Sequence, residues 1–189
     1  MAFAFGILFM GCENDLKEVA RLTDYDDLPV QTIIDSRITY TDSTRVQFTV
    51  EGGQIDRYPS EEDPYDEFSN GVIITTFDNQ GNFESRIIAE NATNHPKMKI
   101  MVARDNVVLK NNEGKMLETE LLTWDENTGK IYTDKFVKIT TPNEILFGDG
   151  LEADQDFSRY EIQNIKGRIK IDTEEETETT ETPWINTIK

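Results

Sequence analysis

Cysteine and histidine are almost absent from this sequence, which contains one of each. A single cysteine excludes an intramolecular disulfide framework and a cysteine-based zinc cluster. A single histidine leaves little for acid-base chemistry near neutral pH, because only histidine has an ordinary pKa in that range. The composition therefore argues against most enzyme classes, and we predict no catalytic residue, no metal site and no cofactor.

Positive charge is also scarce. The 189 residues include 19 lysines and arginines against 37 aspartates and glutamates, which gives a net charge of −18. An acidic surface of this kind repels nucleic-acid phosphates and anionic membranes, so nucleic-acid binding is disfavoured. Apolar residues make up 37% of the chain, which is enough for one hydrophobic core with extensions.

The first residues resemble a bacterial lipoprotein signal. Residues 2–11 carry no charge, and Leu8-Phe9-Met10-Gly11-Cys12 resembles the box in which the cysteine receives a diacylglycerol. A run of ten apolar residues is too short to span a membrane as a helix. We predict a signal segment over residues 1–12, a linker over 13–32 and attachment to a membrane through lipidated Cys12. The alternative is a structural cysteine buried on an apolar strand.

From residue 33 to residue 171, short apolar-polar alternations are separated by turn sequences. This pattern is typical of an antiparallel all-β domain. Evenly spaced short strands favour a meander stacked along one axis, either as a single sheet that folds over on itself or as the two sheets of a jelly roll.

Several local features refine this prediction. Val72 to Glu90 should form a hairpin around residues 78–82, and a bulge near Leu121 is needed to keep Leu117 and Trp124 on one face. Gly52-Gly53 is expected to end a strand, and Arg104-Asp105-Asn106 is expected to form a turn.

Two polar regions carry residues typical of functional sites, but neither is predicted to be one. His95 lies in a predicted polar loop with no nucleophile near it in sequence. Asp125-x-Asn127-x-Gly129 opens like a calcium loop, but Phe136 stands where the closing glutamate is required. Residues 172–189 begin with a run of Glu and Thr and are predicted to be a solvated acidic tail, with Trp184 as an alternative docking anchor.

The apolar interior is the remaining candidate for a site. A curved sheet with unclosed edges can leave a groove lined by apolar side chains. Each acyl methylene moved into it would contribute ~0.8 kcal/mol. An acidic shell disfavours phosphate headgroups, so we expect any lipid ligand to be held by its tails.

The middle of the domain resembles the LptC family. The resemblance rests on Trp124-Asp125, Gly129-Lys130-Ile131 and Gly148-Asp149-Gly150-Leu151-Glu152-Ala153-Asp154, extends to Thr75-Thr76-Phe77-Asp78, and covers about residues 33–171. It implies a twisted β-jelly roll that carries lipopolysaccharide in the periplasm, tethered to the inner membrane. This chain has a lipoprotein-like cysteine where better-known members have a spanning helix.

The resemblance also implies partners. The amino-terminal edge, placed at Ile38 to Phe48 with Ile38 and Tyr40 as candidates, would dock on the periplasmic domain of the inner-membrane Lpt ABC transporter. The carboxy-terminal edge, Ile162 to Ile171 with Ile165, Gly167 and Ile169 as candidates, would dock on an LptA-like bridge protein. Strand addition explains both contacts, because an unpaired edge offers a row of backbone donors and acceptors.

The residues predicted to face the lipid are those of the apolar rows. They are Val46, Phe48, Ile74, Ile87, Ile100, Val102, Val107, Leu109, Leu117, Leu122, Trp124, Ile131, Val137, Ile139, Phe147, Phe157 and Ile162. A packed core is the alternative reading of the same rows.

Two functions of other classes remain open. One is a tethered β-domain that binds carbohydrate or protein through Tyr58, Tyr65 and Phe68. The other is an enzyme that uses paired carboxylates, although no pair is singled out by the sequence.

Overall fold

The computed structural model describes residues 28–171, a range that contains ten strands and no helix. The strands are β1 (Gln31–Asp42), β2 (Arg45–Tyr58), β3 (Tyr65–Phe77), β4 (Phe83–Ala89), β5 (Asn91–His95), β6 (Ile100–Asn111), β7 (Met116–Asp125), β8 (Lys130–Thr140), β9 (Glu144–Asp154) and β10 (Tyr160–Lys170). The prediction of an all-β antiparallel domain is confirmed. Cys12, residues 13–27 of the predicted linker and the tail after Ile171 lie outside the described residues.

All ten strands belong to one antiparallel sheet. Its order is β1-β2-β3-β4-β6-β7-β8-β9-β10, and the short β5 pairs with β3 and β6. The predicted hairpin is confirmed as β3 and β4, and its turn is held by Asp78, which accepts bonds of 2.8 Å from the backbone N–H groups of Gln80 and Asn82. Among the described residues, β1 and β10 are therefore the two edges of the sheet.

A crease of irregular backbone crosses the middle of this sheet. Register shifts occur at Gly52/Gln54, Arg104/Val107, Thr119/Thr123, Thr133/Phe136 and Ile165/Gly167. At Gly53 a Cβ would stand 2.5 Å from the Asn70 carbonyl oxygen, so only glycine lets β2 and β3 approach there. Gly71 follows with φ +95°. Bulges bend and twist strands, so a line of them bends the whole sheet.

The crease divides the sheet into two halves that face each other. The upper half carries the turns at residues 43–44, 78–82, 112–115 and 141–143, and the lower half carries those at 59–64, 96–99, 126–129 and 155–159. The rings of Phe48 in β2 and Trp124 in β7 lie 5.0 Å apart, although β3, β4 and β6 separate their strands. Neighbouring strands are ~4.8 Å apart, so this contact requires the sheet to fold over on itself, in the manner of a jelly roll.

Three local predictions have clear outcomes. The bulge near Leu121 is confirmed, because the β7–β8 register shifts between Thr119 and Thr123. The prediction that Gly52-Gly53 ends a strand is wrong, since β2 passes through both glycines at the crease. Residues 104–106 form a bulge inside β6 instead of a turn, with Asp105 at φ +66° and Asn106 at φ +52°.

The line along which the turns of the two halves meet, opposite the crease, is called the seam below.

Within residues 28–171, no helix is long and apolar enough to cross a membrane.

Candidate functional site

The inner faces of the two halves form one hydrophobic core. Val50, Ile74 and Leu109 contribute from the upper half, while Ile55 and Phe68 contribute from the lower half. Each of these side chains is at most 1% exposed. The crease divides the strands into an upper part and a lower part. Side chains alternate between the two faces of a strand, so each part can present one row of apolar side chains to the interior.

Most residues predicted to face the lipid lie in this core. Those that are buried on strands are Phe48, Ile74, Ile87, Val107, Leu109, Leu117, Leu122, Trp124, Ile131, Val137 and Ile139. Phe157 is also buried but lies in the β9–β10 loop, and Ile162 is half-buried against the core. Their inward position is established, whereas contact with a lipid stays a prediction.

Four predicted residues lie on the outer face instead. Val46 is turned outward by a bulge, because the β1–β2 register shifts between Tyr40 and Thr41, and it is 37% exposed. In β6, Met101 and Ala103 face inward, so Ile100 and Val102 do not.

Phe147 is the fourth of these residues. Its neighbour Leu146 is buried and pairs with Ile139, and this places Phe147 outside. There its ring packs near that of Phe136, with the two centroids 6.3 Å apart.

The sequence reasoning also missed several core residues. They are Val50, Ile55, Phe68, Val72, Ala89, Ala92, Met101, Ala103, Leu146, Leu151 and Ala153. Val50 shares the parity of Phe48 and was predicted on the same apolar face, but it was not included among the residues that face the lipid. Ile55 was not predicted to be in the core, because Gly52-Gly53 was expected to end the strand before it.

The centre of the interior is packed rather than open. Phe68, Phe157 and Ile55 have no exposed surface. Two surface cavities of ≈ 470 and ≈ 710 Å³ lie away from Phe68, Phe157 and Ile55, one at the crease beside Gly53 and Ile88 and the other beside residues 60–63. In this structure the two halves are in contact and their apolar residues reach the two edges of the sheet, and the expected groove for lipid between the halves stays a prediction.

The β1 rim is the end of the core at the first edge, where Ile33, Ile38 and Tyr40 are partly buried against it. Tyr40 stacks on Phe48 with 4.2 Å between ring centroids. Burial raises the pKa of Tyr40, and the nearby carboxylates of Asp66 and Glu126 raise it further. Negative charge therefore surrounds this rim, although Asp66 is paired with a guanidinium at 2.8 Å.

The β10 rim is the opposite end, formed by Tyr160 and Ile162. Burial raises the pKa of Tyr160, and Glu144 raises it further, while Lys115 and Arg168 act in the opposite direction. Arg168 forms an ion pair of 3.1 Å with Glu144. Cationic groups therefore lie close to this rim.

The edge strands place the predicted docking residues as expected, with one correction. Ile38 and Tyr40 lie in β1, and Ile165, Gly167 and Ile169 lie in β10. Ile165 is 57% and Ile169 54% exposed. The predicted first edge extended to Phe48, but β1 ends at Asp42 and Phe48 lies in β2, which is covered on both sides.

The aromatic cluster considered for carbohydrate binding is not an open platform. Phe68 is fully buried. Tyr65 is covered on one side by Tyr58, at 4.6 Å between centroids, and has His95 at 6.0 Å. His95 is at the end of β5 rather than in a loop, and its Nδ1 lies 2.9 Å from an Asp63 carboxylate oxygen.

Comparison with known proteins gives one finding for this fold. A family model described as LptC, "Lipopolysaccharide-assembly, LptC-related", matches residues 2–170. No curated protein matches the chain. The matched range includes all ten strands and the two rims.

Proposed function

The chain belongs to the LptC-related family of lipopolysaccharide-assembly proteins, and we propose that it transfers lipopolysaccharide by holding the acyl chains between the two halves of its folded sheet. Membership of the family supports a role in lipopolysaccharide transport. The route that the lipid takes through this protein is our proposal. Under this proposal the protein is a carrier that performs no chemistry, and the transporter hydrolyses ATP.

One observation carries this proposal: the inward apolar residues form one cluster that reaches both free edges of the sheet. Ile38 and Tyr40 continue the core to the β1 rim, and Tyr160 and Ile162 continue it to the β10 rim. A molecule that enters between the halves at one rim can therefore stay on an apolar surface until it reaches the other.

Burial of acyl chains supplies the binding energy. About ten methylenes moved out of water would contribute ~8 kcal/mol. Because the centre is packed, the tails must separate the halves and replace side-chain contacts such as that of Phe48 with Trp124. The net charge of −18 keeps phosphorylated headgroups from being the main points of attachment.

Docking at the two edges would connect this carrier to its neighbours. We expect β1 to add to the periplasmic domain of the Lpt ABC transporter and β10 to add to an LptA-like bridge protein. The exposed Ile165 and Ile169 on β10 offer apolar contact beside the backbone hydrogen bonds of a joining strand.

The anchor is a separate part of the proposal. Lipidation of Cys12 would hold the protein on the periplasmic side of the inner membrane without a spanning helix. Replacement of Cys12 by alanine should move the protein from the membrane fraction to the soluble periplasm. Retention in the membrane would contradict this mode of anchoring.

Site-specific photo-crosslinking tests the lipid path. Crosslinkers at Phe48, Ile74 and Ile139, which face inward, should capture lipopolysaccharide. The matched control is Lys138, the neighbour of Ile139 on the same strand, whose ammonium pairs with Glu118 on the outer face. Equal capture at all four positions would overturn the interior path.

A further inference from the structure

The loop between β9 and β10, residues 155–159, reaches across the seam to strands that are not its neighbours. Asn111 in β6 donates from Nδ2 to the Phe157 carbonyl oxygen at 3.3 Å, and Lys115 donates from Nζ to the Ser158 carbonyl oxygen at 2.6 Å. Strands β7 and β8 separate β6 from β9 in the sheet. These bonds therefore join the lower half to the upper half.

The same loop places an aromatic side chain in the interior. Phe157 has no exposed surface and stacks on Tyr160 with 5.2 Å between centroids. Its φ is +56°, a conformation that is strained for a bulky residue and persists only where surrounding contacts impose it. Such strain is common in segments that switch between two states.

An unfavourable interaction between like charges also acts at this position. Burial raises the pKa of the Glu84 carboxyl, and the nearby Asp156 raises it further. Asp156 belongs to the loop and Glu84 to β4, and the loop approaches β4 at Ser85, whose hydroxyl lies 3.5 Å from the Gln155 carbonyl oxygen, so two acidic groups of opposite halves lie close enough to repel each other. The closed arrangement is held by a few hydrogen bonds against this repulsion and the strain at Phe157.

A lipid with a large headgroup imposes a geometric requirement. If its acyl chains lie between the halves, its phosphorylated sugars must remain outside, because burial of polar groups in the core is costly. The headgroup can then pass from rim to rim only along the seam. Residues 155–159 close the seam, so the tails cannot pass this position unless the loop moves.

On the basis of the proposed function, we propose that residues 155–159 form a latch that opens to admit the headgroup-bearing lipid and closes behind it. Phe157 occupies the space of an acyl chain while the latch is closed. The hydrogen bonds of Asn111 and Lys115 set the fraction of molecules that are open.

A reversible covalent lock tests the latch. In a Cys12→Ser background, Lys115→Cys and Ser158→Cys are joined by a bis-maleimide with a reducible spacer. The locked protein should capture lipopolysaccharide roughly tenfold less than the reduced protein, because binding scales with the competent fraction. Palmitate, which has no large headgroup, should bind equally to both forms.

The matched control places the same linker between Glu118→Cys and Lys138→Cys, two directly paired residues on the outer face. This link does not cross the seam and should change neither ligand. Equal capture of lipopolysaccharide by the locked and reduced seam pair overturns the latch. Loss of palmitate as well also overturns it, because the link would then block the interior as a whole.

The failure of the latch is distinguishable from failure of the carrier function. If the reduced protein captures palmitate but no lipopolysaccharide, the proposed function itself is wrong, and the latch that depends on it is overturned with it. If the reduced protein captures both, the comparison with the locked form tests the latch alone.

A second pair of variants opens the latch without a cross-link. Asn111→Asp keeps the oxygen that accepts from the backbone of Glu113 and Lys115 but loses the donor to residues 156 and 157. Lys115→Met keeps the aliphatic stem and loses the bond to Ser158, together with an ion pair to Glu113 within the same turn that does not cross the seam. Lys115→Met should accelerate lipopolysaccharide uptake about fivefold, the effect of one ordinary hydrogen bond. Asn111→Asp should accelerate it more, because its carboxylate also repels the carbonyl oxygens of residues 156 and 157. Unchanged or slower uptake in both would contradict the latch.

Discussion

The two rims of the folded sheet are built from similar edge strands but are held in different ways. At the β1 rim, an edge-to-face contact of Phe48 with Trp124 joins the halves, and Tyr40 stacks on Phe48 within the upper half. At the β10 rim, the halves are joined by the hydrogen bonds of Asn111 and Lys115 to residues 155–159.

The charges of the two edges also differ. β10 contains three basic residues and one acidic residue, while β1 contains one basic and two acidic residues. In a chain of net charge −18, β10 therefore carries a net positive charge, as β8 does, whereas the other edge strand carries a net negative one. The sheet has two free edges, and if both dock as proposed, their different side-chain charges give a physical basis for the edges to select different partners.

The largest expected effect is a difference in the free energy of unfolding lost when one apolar side chain is removed at each rim. Phe48→Ala should lower the free energy of unfolding by ~3–5 kcal/mol, because it removes a buried ring that contacts both Tyr40 and Trp124. Ile162→Ala at the half-buried β10 rim should cost about 1 kcal/mol, since less apolar area leaves the core. Urea unfolding of both variants measures the difference. Similar losses would show that aromatic packing does not distinguish the β1 rim.

Sequence information was sufficient where the signal is local. Residues 78–82 contain their own turn chemistry, and the hairpin they form was predicted. The bulge in β7 was also visible, because Leu117 and Leu122 cannot both face inward on a regular strand. In these cases the constraint lies within one strand or one turn.

The predictions were wrong where contacts between residues distant in sequence determine which side chains face inward. In β6, either Ile100 and Val102 or Met101 and Ala103 could face inward, because both pairs have the spacing of two residues that a strand requires. The pairing of Met101 with Trp124 selects the second. The bond from Asn111 to Phe157 likewise joins residues far apart in sequence, so no local pattern indicates the latch.

An intermediate effect tests the charge of the β10 edge. Replacement of Lys166, Arg168 and Lys170 by glutamate should weaken binding to an LptA-like partner roughly tenfold and should reverse its dependence on salt. Binding to the transporter's periplasmic domain through β1 should not change. The matched control is Lys138→Glu on the outer face of β8, and an equal loss in that variant would indicate a general charge effect rather than selection at the edge.

The smallest expected effect concerns the two rim tyrosines. Burial raises the pKa of Tyr40 and of Tyr160, so the folded protein holds both protons more tightly than the unfolded chain. This contribution to stability is present below the unfolded pKa of ~10 and is lost as the pH rises through the folded values. Tyr40→Phe or Tyr160→Phe should therefore reduce the alkaline loss of stability.

Charge substitutions at each rim sharpen this last comparison. Glu126→Gln removes a negative charge near the Tyr40 phenolate and should lower that pKa, whereas Arg168→Gln removes a positive charge near Tyr160 and should raise that pKa. Each shift should be less than about one unit, because both rims are partly open to solvent. Tyrosinate absorbance followed against pH, with the Tyr→Phe variants to assign the signals, measures both. Shifts of the same sign would contradict opposite electrostatic environments at the two rims.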